Sequence, residues 1–266
     1  MEKDVLVFYR QQCISMSKPF LASFLRLSNY QTATRWLIIL AVVFTQSCNS
    51  PDSLPANPYD YFPLEVGRFQ VYRVTEEVYT AGKKVPIKTW YEKHEITREI
   101  EVSQNGKKVI VSISTRNNPS EYWQKNKEYS VESLPDKIIV SKDGEVLTPL
   151  IFPYSSKLEW DGYQYFQLGK DDPRQRSLHH YEDMDIPLKV DSLEFARTLK
   201  VSERTDTTRQ ITYRLGFKIY ASGVGMIEDE QTDFEYLQEN GELVGDKVIG
   251  SGVSRIKRIV DYGIVK

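Results

Sequence analysis

The clearest pattern in the chain is a strict alternation in which Ile211, Tyr213, Leu215, Phe217 and Ile219 are separated by Thr212, Arg214, Gly216 and Lys218. Successive side chains of a strand point to opposite faces, so apolar residues at every second position predict a strand with one dry face. A second alternation sets His94, Ile96, Ile100 and Val102 against Glu95, Thr97, Glu99 and Glu101, and continues through Asn105-Gly106 to Val109, Val111 and Ile113. Asn-Gly tolerates the positive φ of a tight primed turn, so this stretch predicts a β-hairpin. Asp143-Gly144 and Asn240-Gly241 predict two further turns of the same kind. After residue 48, the best candidate for helix is a short segment from Asp191 to Arg197. These signals predict an all-β, mainly antiparallel domain. Its architecture is expected to be one curved meander sheet forming a barrel or half-barrel, with little helix outside the N-terminal segment. No fixed-period repeat points to a propeller or solenoid.

The N-terminal region has a different pattern. Residues 36–44 are an uncharged apolar run preceded by Arg35 and followed by Thr45-Gln46-Ser47-Cys48. A positive end, a short apolar core and a small residue before a cysteine follow the order of a secretory signal. The run is shorter than the roughly 17–25 apolar residues that a membrane-spanning helix needs. Ser47-Cys48 resembles the lipobox of bacterial lipoproteins, in which the chain is cut before a cysteine carrying a diacylglyceryl group. That resemblance implies lipidation at Cys48, a palmitate-type acyl anchor and attachment in the cell envelope, with the outer membrane as the expected site. Residues 1–47 then read as the signal peptide, with residues 1–15 an over-extended start because Met16 offers an internal one. Residues 48–58 hold Pro51, Pro55 and Pro58 among small polar residues and read as a lipidated tether. The β domain is expected to occupy 59–266.

Cysteine supply and charge narrow the chemistry. The chain has two cysteines, Cys13 and Cys48, both within or at the end of the segment expected to be cut or modified. A folded domain without thiols has no disulfide, thiolate zinc site or cysteine nucleophile. Residues 1–47 carry Lys3, Arg10, Lys18, Arg26 and Arg35 against Glu2 and Asp4, so with a whole-chain net charge of −2 the remainder is acidic, at −5. An acidic domain is repelled by phosphate backbones, which argues against nucleic acid as a partner. Arg255, Lys257 and Arg258 alternate with apolar residues and read as the solvated side of a strand.

Three strings taken together resemble a family of uncharacterised lipoproteins of Bacteroidetes-type bacteria. They are Tyr61-Phe62-Pro63-Leu64-Glu65-Val66-Gly67 running on to Tyr72, Phe152-Pro153 with Trp160-Asp161-Gly162, and Tyr220-Ala221-Ser222-Gly223-Val224-Gly225-Met226-Ile227. Gln70 stands where many members carry a Trp. The resemblance implies export and lipidation. Physically the strings read as architecture: Pro63 and Gly67 set the direction of a first strand, and Gly223 and Gly225 permit a bulge or a close backbone approach. A phosphate loop is disfavoured, because no helix is predicted after Gly225 and Glu228-Asp229-Glu230 would repel an anion.

The candidate chemistry is sparse. His179-His180-Tyr181-Glu182-Asp183-Met184-Asp185 places imidazoles beside carboxylates, and a weak oxygen-rich metal site from His179, Glu182, Asp183 and Asp185 is one reading; a polar surface loop is the other. Adjacent histidines on a strand would point to opposite faces. His94 is expected to point inward with a hydrogen-bonding partner. Glu99 and Glu101 are expected on the solvated face. No Gly-X-Ser-X-Gly string is present, so the residues favour a non-enzymatic role with no cofactor and no catalytic residues. Aromatic supply suggests walls for acyl chains or stacking surfaces for sugars, with Trp90, Trp123, Trp160 and Tyr165 as the candidate ligand-facing residues. Three functions stay open: a membrane-anchored carrier-like module holding a lipid or sugar, an accessory lipoprotein that binds another envelope protein, and a metal-dependent hydrolase.

Overall fold

A computed structural model describes residues 57–265, apart from 104, 105, 171, 173, 175–177 and 207–210. The apolar run, Cys48 and the tether up to residue 56 lie outside the described residues. A short 3-10 turn, Pro58–Tyr61, leads into β1 (Arg68–Thr80), β2 (Lys83–Lys84), β3 (Lys88–Ser103), β4 (Gly106–Arg116) and β5 (Gln124–Leu134). The chain continues through β6 (Lys137–Lys142), β7 (Glu145–Ile151), β8 (Glu159–Trp160), β9 (His179–Val190) and β10 (Leu193–Asp206). It ends with β11 (Thr212–Ala221), β12 (Gly225–Tyr236), β13 (Gln238–Glu239), β14 (Glu242–Leu243) and β15 (Ile249–Ile264).

One antiparallel sheet runs in the order β7-β6-β5-β4-β3-β1-β15-β12-β11-β10-β9-β8, with β2 beside β1 and a separate β13-β14 pair. The chain therefore starts mid-sheet, runs outward to β7, crosses to the far edge at β8 and returns strand by strand to set β15 against β1. The ladder leaves two edges with unpaired backbone groups. Sheet twist curls these edges toward each other, and side chains join them. Thr148 of β7 donates its N–H to Gly162 O at 2.7 Å, and its carbonyl accepts the Trp160 indole N–H at 2.8 Å. The Tyr181 hydroxyl accepts the N–H of Ile151 at 2.9 Å and donates to the same residue's carbonyl at 2.6 Å. No ladder joins β7 to β8, so the sheet is a curled half-barrel with a stitched seam and not a closed barrel.

The 3-10 turn plugs one end. Tyr59 donates its hydroxyl to Leu134 O on β5, Asp60 O accepts from Gly223 N, and the Tyr61 hydroxyl bonds Asp185 on β9. These three tethers reach widely separated parts of the sheet. Tyr61 is fully buried there, in a cluster with Ile96, Val109, Val131, Leu150 and Tyr220.

The predicted turns hold at Asp143-Gly144, with φ of 53° and 84°, and at Asn240-Gly241, with φ of 54° and 85°. The expected Asn105-Gly106 turn falls on Asn105, which lies outside the described residues. Gly106 pairs with Ser103 in the ladder, and a Cβ on it would sit 2.3 Å from Ser133 O, so close strand approach explains this glycine. The Asp191–Arg197 segment is not helical: Asp191, at φ 50°, lies in the link where β9 turns into β10. The face assigned to Ile100 is also corrected. A bulge between Ile96 and Arg98 inverts the alternation, and Ile100 is 50% exposed although Ile96 is buried.

Candidate ligand cavity

Curling the sheet shapes a partly open cavity of about 530 Å³, to which strands from both halves and the connection near Tyr163 contribute. Its two ends differ in character. Near the plug the wall is apolar, with Leu64, Ile96, Val111, Val140, Leu147 and Met226. Further along it carries six cationic side chains, Lys142, Arg174, Arg204, Lys218, Arg255 and Lys257, together with Asp143, Glu145, Glu203 and Asp229.

This charged belt reverses two sequence expectations. The predicted dry face of β11 is not the inner one: Lys218 and Tyr220 line the cavity, while Ile211 is 48% exposed. Lys257, expected on a solvated face, points inward; Arg255 borders the cavity but keeps its side chain half exposed, as expected, and Arg258 lies on the other side, bonded to Glu228 at 3.0 Å. Alternation still marks β11 and β15 as strands, but the cavity inverts which parity is polar.

Most of the belt is internally neutralised. Lys218 is paired with Glu203, whose second oxygen accepts from Gln231 at 2.8 Å. Burial opposes both charges, yet the neighbouring carboxylates raise Lys218 above its usual value and Lys218 holds Glu203 below its own. Lys257 meets Glu92 at 2.7 Å, Arg174 meets Asp172 at 2.8 Å and Glu145 at 3.1 Å, Arg204 meets Asp233 at 3.2 Å, and Arg255 is paired with Glu76.

Two buried histidines serve different purposes. His94 has the inward position and partners expected of it: Nδ1 lies 3.2 Å from the Tyr129 hydroxyl and Nε2 lies 3.2 Å from Glu92. An ionised carboxylate only accepts, so His94 donates from Nε2 and Tyr129 donates to Nδ1. Burial pushes His94 down to about 4, and it is neutral at pH 7. Glu92 is held far below the usual carboxylate range: burial opposes its charge, but His94 and Lys257 outweigh that effect. His179 lines the cavity at 4% exposure, and neither ring nitrogen has a hydrogen-bonding partner among the described residues. Its ring is held edge-on to Trp160 and Tyr163, over Gly162, where an added Cβ would come within 2.0 Å of Cε1.

None of the four aromatics chosen from sequence lines this cavity. Trp160 is buried in the seam. Trp90 donates to Glu92 at 3.0 Å beside the belt, Trp123 stacks under Arg116 at 4.2 Å in a hollow on another part of the surface, and Tyr165 is half exposed and bonds Lys137. The aromatics of the wall are instead Phe62, Tyr72, Tyr129, Tyr163 and Tyr220. A signal for Tyr129 was available in sequence only as an aromatic among polar neighbours.

The histidine and acidic string is strand, not loop. His179 and His180 point to opposite faces, with His179 buried and His180 bonded to Glu182 at 3.0 Å. Glu182 also meets Lys200 at 2.8 Å, while Asp185 meets Arg197 at 2.8 Å and accepts from Tyr61. Asp183 and Asp185 adopt φ of 45° and 58°, which kinks β9 where it is tied to the plug. Glu182 and Asp185 are therefore committed to cations, and no trio of metal-ligating side chains converges among the described residues. Glu99 is solvated and pairs with Lys107 at 2.6 Å.

No protein-family model matches the chain, and no curated protein does. Among solved structures, a candidate lipoprotein from Parabacteroides distasonis ATCC 8503 aligns with 14% identity over 76% of this chain and 98% of its own, at a TM-score of 0.38. A candidate exported protein with a YmcC-like fold from Bacteroides fragilis NCTC 9343 aligns with 11% identity over 76% of this chain and 98% of its own, at a TM-score of 0.41.

Proposed function

We propose that the chain is an envelope lipoprotein, acylated at Cys48, whose curled sheet holds an amphipathic ligand. The observation that carries this reading is the cavity of about 530 Å³, apolar at its plugged end and charged along its belt. Its size falls within the roughly 300–1,000 Å³ typical of small-ligand sites. An aliphatic chain laid against Leu64, Val140 and Leu147 would gain about 0.8 kcal/mol per buried methylene. The belt would meet the polar head.

Binding suits this wall better than catalysis. The Tyr129–His94–Glu92 chain resembles a proton relay, but burial pushes the Tyr129 phenol well above its usual value, and its proton is already committed to His94. The group is a fixed donor, not an activated nucleophile.

Two measurements test the proposal. Metabolic labelling with an alkyne-bearing palmitate should tag the wild-type protein and spare Cys48→Ser. A photoreactive, diazirine-bearing amphiphile added to membranes holding the intact protein should label peptides of the cavity wall, in competition with its unreactive analogue. Labelling confined to peptides away from the wall would reject the ligand reading.

A further inference from the structure

The cavity's charge balance points to the head group. Of the six cations on the wall, five have a carboxylate partner: Lys218 with Glu203, Lys257 with Glu92, Arg174 with Asp172 and Glu145, Arg204 with Asp233, and Arg255 with Glu76. Lys142 is the exception among the described residues. The two carboxylates nearest to it in the chain are already taken: Glu145, its ladder partner, is bonded to Arg174, and the neighbouring Asp143 faces Lys127 at 2.6 Å. What Lys142 has instead is the Tyr129 ring, 5.4 Å from its Nζ. Lys142 also stands where the wall changes character, with Val140 two residues before it and Leu147 in the facing strand, all three lining the cavity.

We infer that the ligand of this cavity is an amphiphile with an anionic head, a carboxylate or a phosphate monoester, whose charge pairs with Lys142 while its aliphatic part lies along Val140, Leu147 and Leu64. This rests on the reading of the cavity as an amphiphile site and adds the class of head group. A half-buried ammonium without a counter-ion is costly, and an anion in its place relieves that cost through a charge-assisted hydrogen bond. Lys142 shows the strain of its position: burial, with repulsion from Lys257, outweighs the attraction of Glu92 and pushes it down to about 8. A neutral head would leave the ammonium uncompensated, so the site discriminates by head charge as well as by chain length.

The experiment uses the intact protein in membranes and three diazirine-bearing probes of one chain length, a carboxylate, a phosphate monoester and an alcohol. Half-saturation of labelling at the cavity wall is measured for wild type, Lys142→Gln and Lys142→Arg. The expected result is that at least one anionic probe saturates at a concentration tenfold or more below the alcohol. Lys142→Gln should remove that preference, and Lys142→Arg should keep it. Whichever acid saturates first identifies the head. Equal saturation by all three probes in wild type, or an anionic preference that survives Lys142→Gln, would overturn the inference while leaving an amphiphile site in place. Failure of every probe to label the wall would overturn both readings.

Discussion

Trp160 reaches across the gap between the two edges of the sheet and donates its indole N–H to the carbonyl of Thr148, 2.8 Å away. The bond is buried, and it satisfies one of the backbone groups that an edge strand leaves open. Trp160 also lies against Tyr181, with ring centroids 4.7 Å apart, so the two residues that stitch the seam support each other. Trp160→Phe keeps most of the packing but strands the Thr148 carbonyl, at a cost of about 1–3 kcal/mol. Urea denaturation should show a lower midpoint with an unchanged slope. Trp160→Ala also opens a cavity and should cost about 3–5 kcal/mol.

The same seam explains a glycine. Gly162 accepts from Thr148 N with its carbonyl and leaves room for the His179 ring where a Cβ would stand 2.0 Å from Cε1. Gly162→Ala should therefore destabilise by about 1–3 kcal/mol through overpacking. Truncating the obstacle should suppress this, so the double variant Gly162→Ala, His179→Ala should lose less than the sum of the two single changes. An additive result, measured by denaturation, would show that the imidazole does not set the size of residue 162.

The pairing of Lys218 with Glu203 gives a second coupling test. Both groups are inside the belt and largely removed from water. Removing one partner leaves the other charge buried, so Lys218→Met alone should cost about 3–5 kcal/mol. Changing both, Lys218→Met with Glu203→Gln, removes the two charges together and should recover most of that loss. A double-mutant cycle read by thermal or urea unfolding checks it.

The strand content, the antiparallel order and two of the primed turns were legible in sequence because they depend on local periodicity and on residues that tolerate positive φ. Trp160-Asp161-Gly162 was legible as architecture, and all three residues act in it. Trp160 and Gly162 form the seam, and Asp161 accepts from the N–H of Tyr163 at 2.8 Å. Gly225 likewise makes room for the Gln70 amide, which donates to Val224 O at 2.7 Å. The inner face of β11 and β15 was not legible. Alternation reports two faces but not which one is inside, and the usual rule that the apolar face is buried fails where a sheet closes around a charged cavity. Lys218 and Lys257 read as solvated for that reason. Which aromatics line the cavity was not legible on the same grounds, since Trp160 and Tyr129 are equally aromatic and only the curl of the sheet decides which becomes wall.

The acid response of the fold follows from His94 and Glu92. His94 faces Glu92 and Tyr129 through its nitrogens and Tyr72 through its ring, and the field of Lys257 and Lys142 acts on it as well. Its folded value is depressed from 6.5 to about 4, with burial the largest cause. Between these values the unfolded chain takes up a proton that the folded chain refuses, so stability falls as pH drops from 6.5 toward 4, by about 3 kcal/mol for this one group. Glu92 acts with the same sign in a lower window: its carboxylate is stabilised in the fold, and that contribution is present above 4.5 and lost as pH falls below it. His179, also depressed by burial, adds to the upper window. Unfolding free energy measured from pH 7 to pH 3 should therefore fall continuously below about 6.5. His94→Gln should make the fall between 6.5 and 4 shallower, with the contribution of His179 remaining. An unchanged slope in that variant would mean that His94 takes its proton as readily in the folded chain as in the unfolded one, against the geometry of its two bonds.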